Sequence, residues 1–485
     1  MFLLLARIGI PMQRNCLCLL AVLAILLCGC IGSGTPDDLD VSVIAPLEQS
    51  LACEPYCQIT FEVEAIGVSD DQIRWYVDDV YMAYGTSFSY MPDTEGSLVV
   101  KVVADNGDDT IVRSWDLRSE IDVAALMAEV SALRGLDFES TVPFETMTRG
   151  ELQGYLLEDL QENKESIDIS QKIFEALYAW SGRSLYEDMF TLYTGNIEGL
   201  YDFEEKVFYT ISDDGKPPIA KKLTMAHELV HVLQDQSYSI SEMEDIAMDD
   251  DQLLAIQCVL EGDATTYETA YLSTLTLAEI NALYAYYMSM DDMDLDPFVA
   301  SFAYFPYIYG ERFVSGAIEA YGAGYLDTIY ANVPASTEQV LHPEKYYANE
   351  APLEISSPHR PDGMESLEEN TLGEGMLLIV LTQHLPYETA EPACEGWGGD
   401  HYGYYESDAG YAFVYDAVWD TPQDAAEWYV AMGQYLLEAS GKATPPNSQE
   451  AWIFDKGKTI YISRSSVRTT MIISSDEEII RGMLQ

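Results

Sequence analysis

The sequence predicts a multidomain chain: an N-terminal all-β sandwich, then a mainly helical α+β domain, then a C-terminal α+β segment packed on it. Three observations carry this. From 40 to 118 the apolar residues alternate or run in short stretches, as in "CQITFEVEAI", "QIRWYVDDV", "SLVVKVVAD" and "TIVRSWDL", with "DTEG" and "NGDD" as turns. Near 120 the period lengthens to that of a helix in "IDVAALMAEVSALRGL". At 485 residues and 48% hydrophobic content, the chain can build more than one core.

Residues 1–30 read as a targeting segment. Arg14 precedes the apolar run "CLCLLAVLAILLCGC", which is short for a membrane span and fits a secretory signal. Its ending, "LLCGC", resembles a lipobox. Cys30 is then the lipidated first residue of an exported protein held to the outer face of the cell membrane. A polar linker follows over 31–39. The sandwich at 40–118 holds the Trp75 strand and "YMPDTEGSLVVKVVADNGDDT", which resemble a PKD or immunoglobulin-like module. That resemblance implies a spacer or a binding surface.

Past Cys30 four cysteines remain. Cys53 and Cys57 stand in "CEPYC", a turn-like stretch, and in an oxidising compartment a small disulfide loop is expected. The charge balance narrows the partners. With 82 acids against 24 lysines and arginines, net −58, the summed field repels nucleic acid and anionic lipid headgroups.

The region 119–355 continues with helices in "RGELQGYLLEDLQEN" and "SQKIFEALYAWSG". A hairpin, "IEGLYDFEEKVFYTISDDG", turns around 202–205, and "KVFYTIS" reads as an edge strand able to pair with an extended peptide. Helices fill most of 250–330, and "VPASTEQVLHPEKYY" is a loop. In the segment 356–485 we expect helical pieces after Pro361, a loop "EGWGGDHYGYY" with a tight glycine turn, and a strand. The helix "TPQDAAEWYVAMGQYLLEAS" and two or three further strands complete it.

The chemistry concentrates in "TMAHELVHVLQDQ", directly after the hairpin. At 3.6 residues per turn, His227 and His231 project from one face and can share a zinc ion. Glu228 lies one step round the helix, where it can reach a water in the metal's open position. A third protein ligand is needed. Glu242, Glu244, Glu261, Glu268 and Glu279 all follow within reach. Glu261 is the best of them, because it lies in the apolar run "LLAIQCVLEGDA" of a helix suited to pack on the first. Gly262 and Ala264 are small and let two helices approach. Asp263 could accept an N–H from a ligating imidazole and fix its ring.

The joined motifs "AHELVHVLQDQ", "VLEGDATTY", "PASTEQVLHPEKY", "SALRGLDF" and "GWGGDHYGYY" resemble a group of secreted, largely uncharacterised prokaryotic gluzincin-type proteins over about 120–475. The resemblance implies a zinc metallopeptidase acting on a peptide or protein. His227, His231 and Glu261 map to the ligands and Glu228 to the general base. His342, Tyr346 and Tyr347 are candidates for stabilising the oxyanion. His359, His384 and His401 read as packing or surface histidines, and Asp400 with His401 could line the cleft. Two other classes stay open: a surface-binding lipoprotein with a structural or inactive zinc site, and an envelope scaffold without metal.

Overall fold

A computed structural model describes residues 38–485 apart from 181, 196–198, 204, 212–216, 241–242, 244–245, 291–293 and 443–448. The export signal, the Cys30 lipobox and most of the 31–39 linker lie outside the described residues. Among those described, no helix is long and apolar enough to cross a membrane.

Among the described residues, the N-terminal region holds eight strands in two sheets. β1 (Asp40–Ala45), β3 (Ile59–Ile66) and β6 (Ser87–Tyr90) form one, in the order β1-β3-β6. β2 (Ser50–Cys53), β4 (Ile73–Val77), β5 (Val80–Tyr84), β7 (Gly96–Asp105) and β8 (Thr110–Ser119) form the other, in the order β2-β8-β7-β4-β5. Alternation does the sorting: Val100, Val102 and Ala104 of β7 point inward while Val99, Lys101 and Val103 do not. Both sheets feed one core, where Trp75 and Trp115 stack 5.8 Å apart with Phe61 and Phe88 against them. Each buried indole N–H has an acceptor, Gly85 O for Trp75 at 2.8 Å and Pro46 O for Trp115 at 3.0 Å.

Cys53 and Cys57 are thiols here, not the expected disulfide. Cys53 closes β2, with its carbonyl accepting the Glu120 N–H at 3.0 Å. The chain then turns through Tyr56, which has φ 63°, and brings Cys57 out exposed.

Helices dominate the middle: α1 (Val123–Arg134), α2 (Arg149–Glu162), α3 (Lys164–Ala176), α4 (Leu185–Gly195), α5 (Pro218–Tyr238), α6 (Asp250–Leu272), α7 (Leu277–Tyr287) and α8 (Pro297–Tyr321). Shorter helices α9 (Leu326–Ala331), α10 (Thr337–Leu341) and α11 (Pro343–Tyr347) follow. Start signals are local: Asp122 accepts Ala125 N–H at 3.0 Å, Asp249 caps Gln252 N, and Thr276 with Glu279 makes a capping box. Glu54 fastens the sandwich to this region, pairing with Lys222 at 2.9 Å and accepting the Asp122 N–H at 3.2 Å.

β9 (Phe144–Met147), β10 (Gly199–Asp202) and β11 (Val207–Ile211) make a small sheet ordered β10-β11-β9. The hairpin is present, but β11 is not an edge. It runs parallel to β9 on one side and antiparallel to β10 on the other, a long-range pairing that no local pattern announces. The edge is β10.

The C-terminal segment is a six-stranded antiparallel sheet, ordered β12-β13-β14-β17-β16-β15. Its strands are β12 (Glu365–Asn370), β13 (Trp397–Ser407), β14 (Gly410–Trp419), β15 (Glu450–Asp455), β16 (Lys458–Ser465) and β17 (Arg468–Ser474). Helices α12 (Gly373–Leu381), α13 (Tyr387–Cys394), α14 (Pro422–Ser440) and α15 (Glu477–Met483) accompany it. Two expectations fail here. The stretch after Pro361 opens with strand β12 before its helices, and "EGWGGDHYGYY" is mostly strand, not loop. The glycines of β13 sit under neighbours: a Cβ on Gly403 would lie 2.1 Å from the Tyr405 hydroxyl, and one on Gly399 2.4 Å from Leu353 O. They mark close packing within a strand, which reads as turn composition in isolation.

Candidate metal centre

Helix α5 begins with Pro218 after Pro217, where a fixed φ and a missing N–H cost the helix nothing. From Pro218 to Asp235 every residue except Lys221 and Thr224 is buried. A helix enclosed on all sides has no solvated face, so its histidines and acids must find partners inside the protein.

They do. His227 Nε2 and His231 Nε2 lie 3.2 Å apart. Glu261, from α6, brings Oε2 to 3.3 Å from the first and 3.6 Å from the second. Four tetrahedral ligands at about 2.0–2.1 Å from zinc stand about 3.3 Å from one another, so this triangle has the size of one zinc face. Among the described residues, His227, His231 and Glu261 are the one group of three or more such side chains with donor atoms converging in this way. Glu261 is 1% exposed, and neither carboxylate oxygen receives a hydrogen bond. A buried carboxylate without donors is costly, and a cation among these donors removes the cost. The residues fit a divalent metal of the zinc class.

Glu228 stands outside the triangle, as its place on the helix requires. Its Oε2 accepts the Tyr201 N–H from edge strand β10 at 3.2 Å. Burial pushes its carboxyl above the usual range, against the pull of His231 and His227. For Glu261 burial acts upward too, but the two imidazoles outweigh it and bring the pKa down to about 2. Burial acts to lower His227, yet the Glu261 and Glu268 carboxylates beside it override this and lift the ring to about 10. His231 is raised by Glu261 against the same burial. The carboxylate thus demands positive charge at the position where a metal would supply it.

The contacts behind the ligands correct the sequence reading. Asp263 does not touch an imidazole. His227 Nδ1 faces Glu268 Oε2 at 3.0 Å, and His231 Nδ1 faces Gln234 Oε1 at 2.9 Å. Asp263 lies one step further back, because the Arg134 guanidinium and the Tyr330 hydroxyl already claim it. Glu268 sits two turns beyond Glu261 on α6, and Gln234 one turn beyond His231 on α5. Both spacings are legible in the sequence as one-face positions of a helix. Tyr307, stacked 6.1 Å from His227, and Phe203, edge-on 6.1 Å from His231, carry no such signal in the chain.

Gly262 does allow close helix approach, but to α8 instead of α5. A Cβ on it would lie 2.3 Å from Gly310 C. The remaining sequence candidates have other partners. His342 Nε2 pairs with buried Glu374 Oε1 at 2.8 Å, Tyr346 donates to Asn332 O at 2.8 Å, and Tyr347 packs edge-on against Tyr321. No contact among the described residues joins His342 or Tyr346 to the two histidines. His384 meets Tyr178 O at 2.9 Å, and His401 stands 3.5 Å from the Ser357 hydroxyl. Asp400 is buried at the start of α12, accepting Leu372 N–H, Gly373 N–H and the Trp397 indole at 2.8–3.0 Å. It ties the start of α12 to β13, and its carboxylate is committed to these donors.

Residues 361–483 match the model of a domain of unknown function, DUF8575. The matched span runs from just before β12 into α15, covers less than half of the chain, and leaves α5 and α6 outside. No curated protein and no solved structure matches the chain.

Proposed function

We propose that the protein is a zinc-dependent metallopeptidase of gluzincin type, exported and lipid-anchored through Cys30, with a PKD or immunoglobulin-like module ahead of a zincin-like domain. One observation carries the reading: three donor atoms from His227, His231 and Glu261 stand 3.2, 3.3 and 3.6 Å apart around a buried carboxylate that has no hydrogen-bond donor. Zinc held there supplies Lewis acidity toward a peptide carbonyl and an attacking water. Glu228 takes the proton of that water on the carboxylate oxygen not engaged by Tyr201 N–H, and returns it to the leaving amine nitrogen. Burial raises its pKa above the ordinary carboxylate value, which strengthens it as a base. Edge strand β10 lies beside Glu228 and offers its outer rim to an extended peptide.

A second reading, a surface lipoprotein with a structural zinc site, draws on the burial of His231 and Glu261 at 1% exposure and on the bond already occupying Glu228. Metal analysis and peptide-mixture cleavage by wild type and Glu228→Gln separate the two. We expect one zinc per chain in both proteins, and cleavage by the wild type that falls about 10²–10⁴-fold in the variant. Equal cleavage by both removes Glu228 from the mechanism. Bound zinc without cleavage by either leaves the structural site standing.

A further inference from the structure

Gln234 is 0% exposed, and its side-chain amide has three polar neighbours. At one end lie Leu260 O at 2.9 Å and Asp263 Oδ2 at 3.2 Å. At the other end is His231 Nδ1 at 2.9 Å. A backbone carbonyl and a carboxylate only accept, so the end facing them has to be the NH₂. The amide is therefore fixed one way up, with its carbonyl oxygen toward the imidazole. That oxygen can only accept, so Nδ1 carries the hydrogen and the Nε2 lone pair is left free toward His227 and Glu261.

Two further elements hold Asp263 in place behind the amide. Arg134, at the end of α1, places Nε and Nη2 at 3.1 and 3.0 Å from Oδ2, and Tyr330, on α9, donates to the same oxygen at 2.6 Å. Arg134, Asp263 and Tyr330 are all buried. The contacts form one line from Arg134 through Asp263 and Gln234 to His231.

We propose that Gln234 is a positioning residue for the metal site: its amide, oriented by Asp263 and Arg134, selects the His231 tautomer that can bind zinc through Nε2. The inference rests on the zinc reading above. A group behind a ligand in this way is generally worth 10–100-fold in metal affinity.

The test is zinc affinity of the full-length protein, measured by competition with a chromophoric chelator, for wild type, Gln234→Met and Gln234→Glu. Methionine keeps the length and fills the space but accepts no hydrogen bond. A protonated carboxyl at 234 presents the same acceptor to His231 and an O–H toward Leu260 O. We expect Gln234→Met to bind zinc 10–100-fold more weakly and Gln234→Glu to stay within a few-fold of wild type. Wild-type affinity in Gln234→Met overturns the proposal, as does an equal loss in both variants, which would mark a packing role only. Should Gln234→Met fail to fold, Gln234→Glu decides alone: retained affinity supports the assignment and a loss beyond tenfold overturns it. Failure of the wild type to bind zinc is a different result, and removes the metal site itself.

Discussion

Gly262 of α6 and Gly310 of α8 pass backbone to backbone. A methyl on Gly262 would lie 2.3 Å from the Gly310 carbonyl carbon, and one on Gly310 would lie 2.0 Å from Cys258 O. Neither position offers a flexible side chain that could move aside. The crossing matters because Glu261 directly precedes Gly262 on α6, and Tyr307, on the same stretch of α8, stacks on His227. Helix spacing at this point thus sets where Glu261 and the aromatic neighbour of His227 stand.

Gly262→Ala should therefore push α6 from α8 and disturb Glu261. Overpacking a core costs about 1–3 kcal/mol when side chains absorb it, and more when only backbone can move. We expect a loss at or above the top of that range, seen as a lower urea midpoint, together with weaker zinc binding. Ala264→Gly, two residues on, adds no atom to the crossing. It should cost about 1 kcal/mol through helix propensity and about 1 kcal/mol more for the buried methyl it removes.

Much of the centre was readable from local rules, and the exceptions have one cause. His227, Glu228 and His231 follow from the pitch of a single helix, and Glu261 from an acid placed in an otherwise apolar helical run. Asp263 was misassigned because its partners, Arg134 and Tyr330, arrive from helices distant in the chain. The same holds for β11, whose second neighbour β9 comes from before α2, and for the aromatic walls Phe203 and Tyr307. The β13 glycines misled for a related reason, since glycine composition is ambiguous between a turn and a tightly covered strand. Periodicity reports on one element at a time, while these features depend on which elements meet.

The Arg134–Asp263 pair is buried on both sides, with side chains 3% and 0% exposed. Removing one partner from such a pair leaves an uncompensated buried charge, a cost of about 3–5 kcal/mol. Arg134→Met should show it as a shift in denaturant midpoint. The double variant Arg134→Met, Asp263→Leu removes both charges, yet it still leaves the Tyr330 hydroxyl and one Gln234 amide N–H without their acceptor. We expect it to recover only part of the loss. Full recovery would mean that those two hydrogen bonds contribute nothing.

Asp235 fastens the β10–β11 hairpin to α5. It accepts the Tyr201 hydroxyl at 2.9 Å and both its oxygens lie 2.8 Å from Lys206 Nζ. The two bonds differ in setting, because Tyr201 is buried while the Lys206 side chain is 50% exposed. Solvent screens the lysine, so Lys206→Ala should cost about 0–1 kcal/mol. Asp235→Ala strands a buried phenol and should cost about 1–3 kcal/mol. Hydrogen exchange at the Tyr201 amide, the group that holds Glu228, reads the difference directly. We expect it to speed up clearly in Asp235→Ala and little in Lys206→Ala. Equal effects would show that the lysine carries the attachment.

In chelator-treated protein the centre should make stability fall toward alkaline pH. His227 titrates at about 10 in the folded chain, against an ordinary value of 6.5. A raised base stabilises the fold fully below the unfolded value and loses that contribution as pH climbs from 6.5 toward 10. Glu261 runs the other way. With a folded pKa of about 2 against 4.5, it stabilises above 4.5 and loses this as pH drops toward 2. Glu228, raised by burial, opposes Glu261 on the acid side, because its contribution shrinks as pH rises through its ordinary range. The alkaline limb is thus the cleaner signal. Urea midpoints taken with a chelator between about pH 6 and 9 should decline steadily. With saturating zinc the decline should be smaller, since the metal now supplies the positive charge that Glu261 requires and holds it without a proton. Parallel curves with and without zinc would mean that the ion does not sit against these imidazoles.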